Sequence, residues 1–290
     1  MTAPTLPYPR IRLFGVPVDA LTLEETVEQA FRIVANGQPA QHVVLNAAKV
    51  VAMEQDPELK AVIGSCELVN ADGTSIVWAT KLLGVPLPQR VTGIDLFQAI
   101  VERAAHTGHR VYFLGATDEV IAEVVRRLRR DHPSLQIAGA HNGFWDDDRD
   151  IIEEVRAAGP DFLFLGIPSP RKEFWLARHI DALGVPFVMG VGGTFDVVAG
   201  KTRRAPVLWQ RLGCEWLYRL LQEPRRMWKR YLFGNAAFVQ LLLQARSAQR
   251  RGGVPAIAVD LSHRTARLAP IQPMPLRPAV ADRRGLRRAG

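Results

Sequence analysis

V-N-A-D-G-T-S (69–75) decides how this chain is read. A short apolar run at 67–69 precedes the turn and a helical pattern over 76–83 follows it. Asp72 therefore falls between the carboxyl end of a strand and the start of a helix. In open α/β sheets that edge is where ligands bind. An aspartate there has two readings. It caps the helix by accepting from free N–H groups of the first turn, or it takes part in chemistry. Spacing alone leaves both open.

Working outward, residues 11–18 read as an opening strand or hairpin, with Gly15 and Pro17 favouring an edge position. Thr22 to Glu25 forms a capping box, and the helix it opens ends near Asn36-Gly37. A strand over 42–45 stops at Asn46, a helix covers 47–54, and Asp56-Pro57 starts another. Beyond the central turn, Asp95 is expected to cap a helix reaching His106. Strands follow at 110–114, 135–138, 161–165 and 186–190, separated by helices at 117–130, 149–158 and 171–183. Strands alternating with ten- to fifteen-residue helices imply βαβ units. The fold expected is α/β: a doubly wound, mostly parallel sheet with helices on both faces. Right-handed crossovers line up the strand ends at Asn46, Asp72, Gly115, Gly166 and Gly190 along one edge.

From Trp209 the pattern changes. Trp216, Leu217, Leu220, Leu221, Trp228 and Leu232 recur at helical spacing among arginines. This predicts a basic amphipathic helical appendage over 207–251, separable from an α/β domain over 1–206. Residues 252–290, rich in Pro and Arg, read as disordered.

The net charge of +8 is unevenly spread. Residues 201–251 hold 12 Lys and Arg against two acids, and 252–290 hold seven Arg against two, so 1–200 sum to −7. An anionic partner is expected for the basic third: a membrane surface, a phosphorylated substrate or nucleic acid. Two cysteines, Cys66 and Cys214, supply neither a disulfide framework nor metal spacing. Residues 1–12 lack an apolar run, so no signal peptide is expected, and no window resembles a membrane span.

G-V-G-G-T-F (190–195) suggests dinucleotide binding, but the third glycine of that fingerprint falls on Phe195 and the loop comes late in the fold. It remains either a tight turn or a loop that admits a phosphate to the backbone. Asp146-Asp147-Asp148 looks like a metal-binding triplet, yet it stands just before a helix, where acids suit the dipole. Arg171 and Lys172 open a helix, where cations oppose the dipole, so an anion site competes there with solvated charges.

Taken together, V-V-L-N-A-A-K-V (43–50), N-A-D-G-T-S (70–75), R-V-T-G-I-D-L (90–96), Y-F-L-G (112–115), G-I-P-S-P-R-K-E (166–173), G-V-G-G-T-F-D (190–196), R-A-P (204–206) and E-W-L-Y-R-L-L-Q-E-P-R-R (215–226) resemble the WecG/TagA/CpsF family, glycosyltransferase family 26. The resemblance implies a peripheral-membrane, inverting transferase. It would move a sugar from a UDP-sugar donor to a saccharide on a polyprenyl diphosphate, with no metal or other cofactor. Asp72 takes the place of the family's general base. The substrate-binding residues implied are Asn46, Gly73, Arg90, Gly115, Lys172, Glu173, Gly192 and Asp196. Arg204, Arg219, Arg226 and Arg230 are implied for the lipid diphosphate. Two departures matter. Val44 stands where many members carry Thr, and Lys172 stands where glutamine is common. They weaken the case for N-acetylmannosamine and admit a hexose donor such as UDP-glucose.

The chemistry needs one carboxylate to take the acceptor hydroxyl's proton while the sugar centre is attacked from the opposite face. Without metal, the departing diphosphate must be met by helix starts and cations, of which Arg90 and Lys172 are candidates. The expectation is an enzyme of surface or exopolysaccharide synthesis on the cytoplasmic face of the membrane, docked on anionic lipid, with a homo-oligomer left open. The rivals are a nucleotide-binding oxidoreductase, and a nucleic-acid binder using 201–251. The docked-enzyme reading expects no nucleic-acid partner.

Overall fold

The computed structural model describes residues 9–252 and 256–260. It does not describe the side chains of Arg211, Arg226, Met227, Asp260 or residues 229–233. In chain order the elements are β1 (Arg10–Leu13), β2 (Val16–Asp19), α1 (Leu23–Asn36), β3 (Ala40–Leu45), α2 (Ala47–Gln55), α3 (Pro57–Gly64), β4 (Leu68–Ala71), α4 (Thr74–Leu82) and α5 (Gly93–Thr107). There follow β5 (Arg110–Gly115), α6 (Asp118–Asp131), β6 (Gln136–His141), α7 (Asp148–Ala158), β7 (Phe162–Gly166), α8 (Arg171–Leu183), β8 (Phe187–Gly190) and α9 (Thr194–Val198). The last are α10 (Val207–Arg211), α11 (Glu215–Gln222), α12 (Pro224–Arg250) and β9 (Ile257–Asp260).

β3 to β8 form a six-stranded parallel sheet in the order β4-β3-β8-β7-β5-β6. Its strands are near-continuous apolar runs because both faces are covered. Phe113, Phe162, Phe164 and Phe187 turn to one face, against α1, α5 and α6. Tyr112, Leu114, Leu163, Leu165 and Val188 turn to the other, against α7 and α8. Val43, Leu45, Val69 and Ala71 belong to a third cluster with α2, α3, α4, the β1–β2 hairpin and part of α12. This is the doubly wound arrangement expected from the alternation of patterns.

Local signals place the elements. Thr22 accepts from the Glu25 amide while Glu25 accepts from the Thr22 amide, a complete capping box. Gly37 closes α1 in the left-handed region. The α5 cap differs from expectation: Thr92, not Asp95, accepts from the amide three residues on, and its hydroxyl donates to the Asp95 carboxylate. The cap simply sits one turn earlier. The basic stripe is three helices rather than one, because Gly213 and Pro224 break it. Within the tail expected to be disordered, Ile257–Asp260 pairs antiparallel with β1, making the sheet β2-β1-β9. Residues 253–255 and 261–290 lie outside the described residues.

Candidate active site

The strand ends align as the crossovers require. Leu45 is level with Ala71, Leu165 with Gly190, and Gly115 with Gly166. The Asp72 amide donates to the Leu45 carbonyl at 2.8 Å, and the Val91 amide to the Ala71 carbonyl at 3.0 Å. These two bonds hold Asp72 and the Arg90 loop side by side at the carboxyl edge.

Asp72 does not cap α4. Gly73 occupies the cap position with φ 110, a conformation that excludes a β-carbon, and no side chain caps the helix. Among the described residues, no hydrogen bond reaches the Asp72 carboxylate. Burial pushes its carboxyl above the ordinary aspartate value. The charges of Arg219, Arg90 and Lys49 pull it down, and that of Glu215 pushes it up. Desolvation outweighs the nearby cations. A carboxylate of raised proton affinity is the better general base.

The appendage completes this edge. Arg90 Nη1 meets Glu215 Oε2 of α11 at 2.7 Å. Arg204 Nη2 meets Asp95 Oδ1 at 2.7 Å, with its Nε 3.7 Å from Glu215 Oε1. Gly213, at φ 71, lets the α10–α11 turn lie on the central motif, since a β-carbon there would fall 2.9 Å from Thr74 Cβ. Arg90 and Arg204, assigned separately from sequence to donor and lipid diphosphates, thus meet at one acid, Glu215, that sequence reasoning passed over. The side chains of Arg226 and Arg230 lie outside the described residues.

The remaining residues expected to bind substrate divide. Asn46 caps α2, accepting from the Lys49 amide at 3.0 Å. Glu173, 1 % exposed, pairs with Lys49 Nζ at 2.7 Å and stands 3.7 Å from Lys172 Nζ. Burial alone would raise its carboxyl, but the two ammonium groups, with hydrogen bonds from Lys49 and Ser169, more than offset that and hold it below the ordinary glutamate value. Lys172 lies along the G-V-G-G loop. A β-carbon on Gly190 would fall 2.8 Å from its Cε, and one on Gly192 3.5 Å from its Nζ. Room for this lysine is a packing reason for the glycines that neither sequence reading considered. Gly115, at φ 133, brings β5 against the Gly166 backbone. Asp196 is half-buried in the first turn of α9.

The acidic triplet is engaged structurally. Asp147 caps α7, and Asp148 accepts from the indoles of Trp145 and Trp175 at 2.6 and 2.7 Å. One exposed aromatic at this edge went unremarked. Phe144, 73 % exposed, has its amide held by Asn142 Oδ1, and Asn142 in turn donates to Asp118. Nothing in its sequence spacing marks it, because the signal is exposure.

Between α11 and α12 runs an apolar groove of about 840 Å³, lined by Trp216, Leu220, Trp228, Val239 and Leu243. Among the described residues no helix is long and apolar enough to cross a membrane.

Comparison with known proteins agrees with this geometry. The model of the glycosyl transferase WecG/TagA/CpsF family matches residues 11–252, spanning the body and the appendage up to the end of α12. An N-acetylglucosaminyldiphosphoundecaprenol N-acetyl-beta-D-mannosaminyltransferase of Bacillus spizizenii (strain ATCC 23059 / NRRL B-14472 / W23) is 38% identical over 178 residues, covering 61% of this chain and 69% of that protein. With a parallel sheet whose carboxyl edge carries the N-A-D-G motif and a family match over most of its length, the chain belongs to the WecG/TagA/CpsF family of glycosyltransferases.

Proposed function

We propose that this glycosyltransferase moves a sugar from a UDP-sugar to a polyprenyl-diphosphate-linked saccharide with inversion, in surface or exopolysaccharide synthesis, with Asp72 as base. The observation that carries the reading is Asp72 itself. It is a carboxyl pushed up by burial, without a capping role, at the carboxyl edge of the sheet, and within electrostatic reach of Arg219 of the appendage. The relative's name supports the acceptor class, since that protein acts on an N-acetylglucosaminyl-diphosphoundecaprenol.

In this scheme Asp72 accepts the proton of an acceptor hydroxyl. The oxygen attacks the anomeric carbon from the face opposite the nucleotide, and the bond to the diphosphate breaks with its electron pair leaving on UDP. Arg90, Arg219 and Lys172 supply positive charge for the diphosphates at either end of the reaction. The donor is an N-acetylmannosamine-type or hexose nucleotide, with Lys172 the position that departs from the family's usual glutamine.

A peripheral seat on the cytoplasmic face of an anionic membrane fits the appendage. Trp216, Leu221, Trp228 and Leu243 are exposed there among arginines, and aromatic and basic side chains of that kind favour the bilayer interface.

The deciding experiment offers a panel of UDP-sugars with a short-chain lipid-diphosphate saccharide. One donor is expected to react, with inversion at the anomeric carbon. Asp72→Asn is expected to lose about 10²–10⁴-fold in kcat. No transfer from any donor, or full activity in Asp72→Asn, would sink the proposal.

A further inference from the structure

The seam between the α/β body and the appendage is built around one acid. Glu215, the first residue of α11, meets Arg90 at 2.7 Å and lies 3.7 Å from Arg204. Arg204 is held from its other side by Asp95, which Thr92 braces. One helical turn along α11, at i+4 and so on the same face as Glu215, Arg219 is close enough to Asp72 to pull on its carboxyl. Gly213, just before Glu215, is pressed onto Thr74 of the central motif. Arg90 and Arg219 therefore act on Asp72 from two separate segments, and Arg204 joins Arg90 at Glu215 from a third. Like charges drawn together in a half-buried seam repel unless a counter-charge gathers them. Glu215 is the acid that contacts two of them at once.

We propose that Glu215 is a positioning residue for the transfer: its carboxylate gathers Arg90 and Arg204, and so seats α11, with Arg219, beside Asp72. The inference rests on the reading of Asp72 as the base. It assigns to Glu215 no contact with substrate. Arg90 is presented in a fixed direction and the appendage is locked onto the N-A-D-G turn. Gln at this position keeps the shape and loses the charge, whereas Asp keeps the charge on a shorter stem.

The test uses the full-length protein as wild type, Glu215→Gln and Glu215→Asp. Hydrogen exchange without substrate reads the seating. In Glu215→Gln the amides of α11 and of residues 212–214 should lose protection, while those of the central sheet do not change, and Glu215→Asp should recover most of it. Kinetics read the consequence. In Glu215→Gln kcat should fall about tenfold to a hundredfold, the scale of a displaced catalytic group, at an unchanged melting temperature, with Glu215→Asp again recovering most of the loss. A role in folding alone would lower the melting temperature and leave kcat of the folded fraction unchanged. Unaltered α11 protection in Glu215→Gln overturns the proposal, as does loss of protection with wild-type kcat. Absence of transfer by the wild-type protein counts against the transferase reading alone, because the exchange measurement still decides whether Glu215 seats α11.

Discussion

Burial raises the proton affinity of Asp72 by more than Arg219, Arg90 and Lys49 lower it, and that imbalance has a consequence for stability. In the unfolded chain the carboxyl titrates near about 3.9, and in the folded chain it titrates higher. Below the unfolded value both states carry the proton and the fold keeps its full stability. As pH rises toward the folded value, the unfolded chain releases its proton first and stability falls. At neutral pH the ionised carboxylate is therefore a net cost to the fold. Asp72→Asn should melt at or above the wild-type temperature at pH 7 while losing transfer, and the difference should shrink toward pH 4. Calorimetry at the two pH values checks this. A lower melting temperature at pH 7 would make Asp72 a structural counter-ion of Arg90 and Arg219 instead. The site of Asp72 is legible in V-N-A-D-G because the apolar run stops there. Its freedom from capping is not, because it depends on the backbone angle of Gly73, which places the cap one residue later. Glu215 was illegible for a related reason: nothing in E-W-L-Y-R says that its carboxylate crosses 125 residues of sequence to Arg90.

Among the elements, α2, β3, α8 and β8 are tied together by charges that apolar patterning does not reveal. Lys49 on α2 donates to the Val44 carbonyl in β3 and pairs with Glu173 on α8, which also faces Lys172 beside Gly190. K-V (49–50) and P-R-K-E (170–173) read in sequence as a helix turn and a cationic helix start. Their convergence follows only once β3 and β8 are neighbours. A buried pair of this kind is weak evidence of net stabilisation, yet breaking one side of it leaves an uncompensated charge. Glu173→Gln should cost about 3–5 kcal/mol at neutral pH, read as a lower denaturant midpoint. The folded Glu173 titrates below the ordinary value, so its contribution is present above the unfolded glutamate value of about 4.3 and disappears as pH falls through the lower folded one. The gap between wild type and Glu173→Gln should close in that acid range. Replacing Lys49 by Met and Glu173 by Leu together should cost less than the sum of the two single changes. Additive costs would mean that the two side chains are held independently.

At the scale of the whole molecule, the boundary near residue 206 marks a change of pattern more than a break in packing. The α/β body was legible because its strands and helices alternate locally. The return of the chain to that body was not, because it depends on contacts across most of the sequence. α12 lies along α2, and Phe238, 3 % exposed, reaches the β1–β2 hairpin, where its ring stands 6.4 Å from that of Phe14. β9 then pairs with β1 from a segment whose Pro- and Arg-rich surroundings suggest no strand. Edge strands of four residues carry little pattern of their own, and this one is specified by the partner it meets. Truncation after Pro206 therefore removes more than a docking surface. It uncovers α2 and Phe14 and leaves β1 without a neighbour on one side. Phe238→Ala alone should cost about 3–5 kcal/mol, the range for emptying a buried phenylalanine site, and the truncated body should melt lower than that variant. Both should keep the helix and strand content of the α/β body, since the two clusters that hold β5, β7 and β8 contain no residue beyond Pro206. The two changes separate packing from docking. Phe238→Ala, which alters no exposed apolar or basic residue, should still sediment with anionic vesicles, whereas the truncated protein should not. Thermal melts and vesicle sedimentation on the two variants read these outcomes. A truncated protein that melts with the wild type would make α12 a passenger on the body, and one that still sediments would move the membrane contact off the appendage.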